Sequence, residues 1–257
     1  MSVASAGRPK RERERRKTAR RRSRATPHKP FFEHSARSES IPARSRRLLG
    51  EAPRGEFVVG VSGASGALLA RRFVEIALAS GGLGRLHLVF SDAGLEVAKN
   101  EIDAGILSGR DWVSRLNASR ASLRKIEIHG NREIGASIAS GSYPVSGMIV
   151  VPCSAGTLGA IANGISRDLL QRAADVTLKE QRPLVLAFRE SPYSLVHIEN
   201  MRRAALAGAI IAPPSPAFYV ASPTIERFLD AYCGRVARLL GLDVPAESYQ
   251  WKGKKPR

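Results

Sequence analysis

Short apolar segments alternate with amphipathic segments over most of the chain, and this alternation constrains the fold more than any other feature. The first pair is FVVGV at 57–61, followed by a helical pattern of apolar residues at 67–80. Apolar strands that alternate with helices are typical of a parallel sheet covered on both faces. We therefore predict the α/β class, with one doubly wound domain over 57–251. The predicted strands are 57–61, 85–90, 125–129, 147–151, 183–188 and 209–212, and the predicted helices are 67–80, 92–100, 109–119, 156–162, 168–180, 195–207 and 223–240.

The positive charge lies mainly at the two ends of the chain, whose formal net charge is +18. Residues 1–56 contain 17 basic and six acidic side chains, and 252–257 contain four basic ones, whereas 57–251 are nearly balanced. The first segment shows no apolar periodicity, so it has little surface to bury in return for becoming ordered. We predict a disordered Arg-rich extension at 1–56 and a basic C-terminal tail at 252–257.

Three roles are open for the extension. It is Arg-rich and Ser-rich like an organellar presequence, but Glu12 and Glu14 interrupt the basic run. A tether to nucleic acid or another anionic surface is the second role. A dispensable extension is the third, and it is favoured here. Because no apolar signal segment is present, the expected location is the cytoplasm, with import into an organelle as the less favoured alternative.

The composition excludes two other classes of protein. Two cysteines in 257 residues do not make a disulfide scaffold. The uncharged stretches 134–166 and 204–225 are long enough to resemble membrane spans, but prolines interrupt both of them. A spanning helix needs about 20 mostly apolar residues whose backbone groups bond internally. We therefore expect no membrane span.

Four turns that follow predicted strands carry candidate site residues. SGASG at 62–66 and PCSAGT at 152–157 each precede a helix, whose first amides and dipole suit an anion. FRESP at 188–192 adds an Arg–Glu pair, and PPSPAFY at 213–219 adds a proline-rich loop with two aromatic residues. Ligands of open α/β sheets bind at the carboxyl ends of the strands, so these turns predict one shared site. Simpler interpretations are also open: a tight strand-to-helix turn at 62–66, a surface ion pair between Arg189 and Glu190, and a rigid connector at 213–219.

The sequence predicts neither a cysteine nucleophile nor a metal site. Cys153 is interpreted as a small buried hydrophobic residue, because no histidine lies near it in the sequence. The five histidines show no metal-ligand spacing, and no acidic cluster suits magnesium on a diphosphate. We expect lysine and arginine to meet the charge of any phosphorylated substrate.

Five blocks, in this order, resemble the UbiX-type flavin prenyltransferases. They are VGVSGASGA, LVFSDA, ASGSYPVSGMIVVPCSAGTL, RAADVTLKEQRPLVLAFRESP and GAIIAPPSPAFY, and the likeness runs from about Phe57 to Trp251. The resemblance implies a flavodoxin-like Rossmann domain that assembles into a homo-dodecamer. It implies metal-independent transfer of a dimethylallyl group from dimethylallyl phosphate to N5 and C6 of reduced FMN. Prenylated FMN would then serve a UbiD-type decarboxylase. The segment 103–133 aligns loosely, and its role is open.

The same resemblance assigns roles to individual residues. The implied catalytic residues are Glu190, as the acid or base, with Ser65 and Glu101. The implied ligands of the prenyl phosphate are Tyr219, Arg235 and Lys179, the last reaching in from a neighbouring subunit. Trp251 matches an aromatic residue near the C-terminus. The implied FMN-binding residues are Gly63, Ala64, Ser65, Ser91, Ser154, Ala155, Gly156, Thr157 and Arg189.

Two alternative functions are weighed against this one. An FMN-dependent cysteine decarboxylase shares the fold, but it carries a catalytic histidine early in the domain and a PxANT-like block where this chain has PCSAGTL. Here the early histidine is His87, inside a predicted strand. A nucleic-acid-binding protein acting through 1–56 would bind with a steep salt dependence. Because 57–251 offer no aromatic–basic face, nucleic acid is not an expected partner.

Overall fold

The computed structural model describes residues 55–218 and 224–244. The predicted extension up to residue 54 and the predicted basic tail lie outside these ranges, as do Tyr219 and Trp251. The strands are β1 Gly55–Val61, β2 Leu83–Phe90, β3 Ile126–His129, β4 Gly147–Cys153, β5 Leu184–Phe188 and β6 Ile210–Ile211. The helices are α1 Ala67–Ala79, α2 Asp92–Glu101, α3 Gly109–Ser114, α4 Arg120–Leu123, α5 Ala155–Ala162, α6 Leu169–Lys179, α7 Leu195–Leu206 and α8 Ile225–Leu239, with a short 3-10 helix at Ser137–Ala139.

The six strands form one sheet in the order β3-β2-β1-β4-β5-β6, and every neighbouring pair is parallel. The full order 3-2-1-4-5-6 is that of the doubly wound Rossmann fold, and without the edge strand β3 the other five strands, β2-β1-β4-β5-β6, have the flavodoxin-like order. The chain reverses its direction of progress across the sheet between β1 and β4. Ligands of doubly wound folds bind at this switch point, so the topology confirms the predicted fold class and indicates where a site lies.

Helices cover both faces of the sheet and close two hydrophobic clusters. On one face α1 packs against α8, and the cluster includes Phe73, Cys233 and the indole of Trp112 from α3. On the other face the cluster includes Leu158 of α5 and Leu170 of α6. A Cβ on Gly60 would lie only 2.9 Å from Leu170 Cγ, so glycine lets α6 approach β1. Each large side chain buried here contributes about 1.5–3 kcal/mol to the free energy of folding.

The structure differs from the predicted elements at several boundaries: β2 begins at Leu83 instead of 85, β4 ends at Cys153 instead of 151, and α8 begins at Ile225 instead of 223. β1 begins at Gly55, two residues before the predicted domain start, because the Gly55 amide donates to the Gly82 carbonyl at 3.0 Å and the backbone pairs with the start of β2. The helix predicted over 109–119 ends at Ser114, and Ser119 caps a separate short helix by accepting from the Ser122 amide at 3.1 Å. The 3-10 helix was not predicted. The domain boundaries themselves stay predictions.

No helix in the described parts of the chain combines the length and the apolar character needed to cross a membrane. The uncharged stretch 134–166 contains the 3-10 helix, the buried strand β4 and the whole of α5. The apolar residues of β4 belong to the core of the α/β fold, whereas Ile134 and Ile165 are exposed.

Candidate active site

A pocket of about 410 Å³ opens at the carboxyl ends of β1, β4 and β5, next to the switch point of the sheet. Three of the four predicted turns meet there, one from each strand end. The volume lies within the range usual for small-molecule sites, which is roughly 300–1,000 Å³. The residues that line it are Gly63, Ala64, Ser65, Ser154, Ala155, Gly156, Arg189 and Glu190, all of which belong to the predicted site.

The buried side chain of Ser62 joins the first two turns. Its amide donates to the Pro152 carbonyl at 3.3 Å, and its hydroxyl donates to the same oxygen at 2.9 Å. The Ser154 amide in turn donates to the Ser62 hydroxyl at 2.8 Å. Ser62 was not among the predicted site residues. The signal that could have found it is a hydroxyl directly after an apolar strand, where a buried polar group needs partners.

The second turn presents the amino end of α5 to the pocket. Ser154 caps this helix by accepting from the Thr157 amide at 3.3 Å, and its hydroxyl also donates to Thr157 Oγ1 at 3.0 Å. The other amides in the first helical turn of α5 lack carbonyl partners within the helix, so they can donate to an anion. Open space surrounds Gly156 Cα where a side chain would project. Thr157 is buried behind Ser154, so it supports this turn instead of lining the pocket.

In the turn at 62–66, the amides at the start of α1 already donate to a carboxylate of the protein. Glu101, the last residue of α2, accepts from the Gly66 amide at 2.9 Å and from the Ala67 amide at 2.7 Å. Gly66 has a φ of +124°, which favours glycine at this strand-to-helix turn. The expectation that the first amides of α1 meet an external anion was therefore wrong for these two groups. Both amides donate instead to Glu101, which lies about 35 residues further along the chain.

The surroundings keep Glu101 ionised. Burial alone would raise the pKa of its carboxyl group, but hydrogen bonds from Ser65, Gly66 and Ala67 and the charge of Arg189 outweigh burial and lower the pKa. The carboxylate thus lies beside two pocket residues, Ser65 and Arg189, although it does not line the pocket itself. This position agrees with the implied role of Glu101 in the site, which stays a prediction.

The third turn brings a cation and a second carboxylate to the pocket. The Arg189 amide donates to the Cys153 carbonyl at 3.1 Å, which holds the end of β5 against the end of β4. The side chain of Arg189 is exposed. Its planar guanidinium group can donate two hydrogen bonds to a ligand phosphate. Glu190 is half-buried and accepts from the Ser191 amide at 3.1 Å.

Some predicted site residues lie away from the pocket in this chain. Ser91 caps α2, with its hydroxyl accepting from the Gly94 amide at 3.0 Å. Lys179 ends α6, is exposed and pairs with Glu180. Arg235 is exposed on α8. Tyr219 and Trp251 lie outside the described residues. A single chain therefore does not bring Lys179 to the other candidate residues, as expected if a neighbouring subunit supplies it.

Cys153 is unsuited to act as a nucleophile. It is fully buried at the end of β4, and burial raises the pKa of its thiol well above the ordinary range. The reactive form of cysteine is the thiolate, which this environment suppresses. His87 is likewise buried in the interior of β2 and does not line the pocket, so it does not occupy the place of the catalytic histidine that a cysteine decarboxylase would need.

The pocket residues fit a flavin mononucleotide. The amino end of α5 and Arg189 suit its phosphate, and the small residues of the first two turns leave room for a flat ring. Gly63 is required at its position, because a Cβ there would lie 2.4 Å from Ala93 Cβ. The groups that line the pocket are hydroxyls, amides, a guanidinium and the Glu190 carboxylate, and the first three can donate to a phosphate and to a heterocycle.

Comparison with known proteins supports this interpretation. A family model described as Flavoprotein matches residues 46–229. The flavin prenyltransferase UbiX of Salmonella typhimurium is 38% identical over 203 residues, which are 77% of this chain and 98% of that protein.

Two solved structures share the fold. AnUbiX (PadA1), in complex with FMN and dimethylallyl pyrophosphate, is 38% identical with a TM-score of 0.66, covering 79% of this chain and all of that one. A dodecameric FMN-dependent UbiX-like decarboxylase of Escherichia coli O157:H7 is 33% identical with a TM-score of 0.65, covering 77% of this chain and all of that one. The chain belongs to the flavoprotein family and, within it, to the UbiX-type flavin prenyltransferases.

Proposed function

We propose that this chain transfers the dimethylallyl group of dimethylallyl phosphate to N5 and C6 of reduced FMN. The observation that carries the proposal is the meeting of the α5 amino end, Arg189 and Glu190 at the switch point of the sheet, in a pocket otherwise lined by small residues. The relation to AnUbiX supports it, since that protein was solved with FMN and a dimethylallyl diphosphate together.

The proposed binding step uses groups that are in place before any ligand arrives. The amides of Ala155 and Gly156 and the guanidinium of Arg189 are assigned to anionic oxygens. Gly63 and Ala64 let the flavin ring approach the backbone. Reduced FMN supplies two nucleophilic atoms, N5 and C6, once it is bound.

The proposed transfer breaks the allylic C–O bond and forms bonds from the dimethylallyl carbons to N5 and C6. Negative charge grows on the departing phosphate, so cations that hold it stabilise the transition state. Arg189, Arg235 and, from a neighbouring subunit, Lys179 are the cations proposed for this role. The Tyr219 hydroxyl is proposed to donate a hydrogen bond to the same phosphate. One proton must leave the flavin overall, and Glu190 or the released phosphate accepts it.

The test is an anaerobic reaction of the full chain with reduced FMN and dimethylallyl phosphate, followed by mass spectrometry of the flavin. The expected result is a flavin heavier by one dimethylallyl group less one proton, with one phosphate released per turnover. Oxidised FMN and a reaction without the prenyl donor are the controls. Tight FMN binding without any mass gain would contradict the proposal.

Three further proposals concern partners and location. The product is proposed to serve a UbiD-type decarboxylase, tested by activation of such an apoenzyme with the reaction mixture. The chain is proposed to form a homo-dodecamer like its Escherichia coli relative, tested by native mass spectrometry. The cytoplasm is the proposed location, and removal of N-terminal residues upon import into an organelle would contradict it.

A further inference from the structure

Two histidines and a glutamate from neighbouring strands converge outside the pocket. His87 Nδ1 lies 2.9 Å from His129 Nε2. Glu127 Oε2 lies 3.8 Å from His87 Nδ1, and Glu127 Oε1 lies 3.7 Å from His129 Nε2. His87 and His129 are buried, whereas 39% of the Glu127 side chain is exposed. No residue of this cluster lines the candidate active site.

The register of the sheet explains why these side chains meet. His87 of β2 is paired with Glu127 of β3, and Val89 is paired with His129. Alternate residues of a strand point to the same face, so His87, Glu127 and His129 share one face of the sheet. The sequence showed no metal-ligand spacing because 42 residues separate the two histidines.

The surroundings of His87 fix which of its nitrogens carries a lone pair. Its Nε2 lies 3.0 Å from the Glu56 carboxylate, which in turn accepts a hydrogen bond from the Tyr143 hydroxyl. A carboxylate only accepts, so the proton of His87 is on Nε2, and its Nδ1 accepts a hydrogen bond from His129 Nε2. An ion between the two rings replaces this hydrogen bond once the proton of His129 moves to its Nδ1. Histidines that bind metals commonly donate their second N–H to a carboxylate in this way.

The two imidazole nitrogens and the Glu127 carboxylate are spaced for a shared tetrahedral ion. Zinc–nitrogen bonds of about 2.0–2.1 Å place two ligand atoms about 3.3 Å apart in a tetrahedral site. The two nitrogens lie 2.9 Å apart, and each has a different oxygen of Glu127 at 3.7 or 3.8 Å. One ligand atom from each of the three side chains lies within 4.8 Å of the other two.

We propose that His87 Nδ1, His129 Nε2 and the Glu127 carboxylate bind a zinc ion, with Glu56 as the carboxylate that orients His87. Three protein ligands leave a fourth position for water, and the exposed part of Glu127 is the route by which the ion enters. The ion fastens the edge strand β3 to β2. The site is separate from the pocket, so it is compatible with a metal-independent transfer reaction.

The neighbouring cation Arg85 is expected to oppose zinc binding. The Arg85 guanidinium pairs with Glu127 Oε2, while Oε1 faces His129. Arg85 competes for the carboxylate and repels a dication, and Glu133 is the acidic group that also acts on His129. Removal of the Arg85 charge is therefore expected to strengthen zinc binding, whereas neutralisation of Glu127 weakens it.

The experiment is zinc titration of the full chain after treatment with a chelator, read by metal content after dialysis and by the melting temperature. The expected result is one bound zinc per chain and a higher melting temperature, because zinc binds the folded state preferentially. Glu127→Gln and His129→Gln should each weaken binding by more than about 100-fold, since loss of an outer-shell partner alone costs roughly 10–100-fold. Arg85→Gln should bind more tightly than the unmodified chain.

The matched control replaces the three other histidines, as His28→Ala, His34→Ala and His197→Ala together, and should keep the bound zinc. Cobalt bound in place of zinc should show the intense visible bands of a tetrahedral site, and Glu127→Gln should lose them. The proposal is overturned if no zinc binds, if the control loses it, or if Glu127→Gln keeps it. Because Glu127 is partly exposed, its variant should fold, and FMN binding checks this.

Discussion

The carboxylate of Glu101 accepts a hydrogen bond from the Ala67 amide at 2.7 Å, which places the last residue of α2 at the first turn of α1. A negative charge at the amino end of a helix interacts favourably with the helix dipole. Because Ser65 also bonds to this carboxylate, the interaction supports the first pocket turn as well as the helix.

Glu101→Gln should therefore lower the free energy of unfolding by about 1 kcal/mol at pH 7. Urea denaturation measures this change. The control is Glu96→Gln on the same helix, whose exposed carboxylate lies 3.9 Å from Lys99 and should contribute little. Equal losses for the two variants would contradict a specific role for Glu101.

The interaction of Glu101 with the Ala67 amide also predicts that the free energy of unfolding depends on pH. The folded state lowers the pKa of Glu101 below its ordinary value of 4.5, so its stabilisation is fully present above pH 4.5. It is lost as the pH falls through the lower pKa of the folded state. The stability difference between the unmodified chain and Glu101→Gln should accordingly shrink below pH 4.5. A difference that grows on acidification would contradict this assignment.

Arg189→Ala should weaken binding of FMN or of the prenyl phosphate roughly 10–100-fold, because hydrogen bonds to charged groups contribute about 1.5–3 kcal/mol. Flavin fluorescence titration measures the first affinity, and the Michaelis constant for dimethylallyl phosphate reports on the second. Arg120→Ala, which removes an exposed arginine from α4, is the matched control. Unchanged affinity for both ligands would remove Arg189 from the site.

Gly63→Ala should lower the free energy of unfolding by about 1–3 kcal/mol, the usual cost of overpacking. The new Cβ would lie 2.4 Å from Ala93 Cβ and 3.3 Å from the Ala93 backbone, so the turn must shift. Gly135→Ala meets no atom within 4 Å and should leave stability nearly unchanged. Thermal unfolding and FMN titration of both variants make the comparison, and intact FMN binding by Gly63→Ala would contradict the close approach.

Lys179→Ala and Arg189→Ala should each have strongly reduced activity alone at low substrate concentration, yet regain part of the activity when the two chains are assembled together. The reason is that Lys179 lies away from the pocket of its own chain and is proposed to act in a neighbouring one. Random mixing would leave about a quarter of the sites with both side chains intact. Absence of any recovery in mixed assemblies, shown by native mass spectrometry, would place Lys179 outside the site.

Local patterns were sufficient to predict most of the fold and of the pocket. β4 and β5 are continuous apolar runs, and small residues directly after β1 and β4 mark turns that must meet at one end of a parallel sheet. Contacts between residues that are distant in the sequence could not be predicted from local patterns. The Glu101–Ala67 bond spans 34 residues and the His87–His129 contact spans 42. Such pairs depend on strand register and on helix packing, which a local pattern does not encode.

Ser62 bonds to both Pro152 and Ser154, so two walls of the pocket are fastened together by the folded chain alone. Opening the pocket would require breaking bonds of a buried side chain. The amide of Ser154 should therefore exchange its hydrogen as slowly as amides of the central strands, even without flavin. Capture of the flavin would then proceed as the docking of a rigid ring into a preformed slot, with little change in backbone dynamics at these two turns.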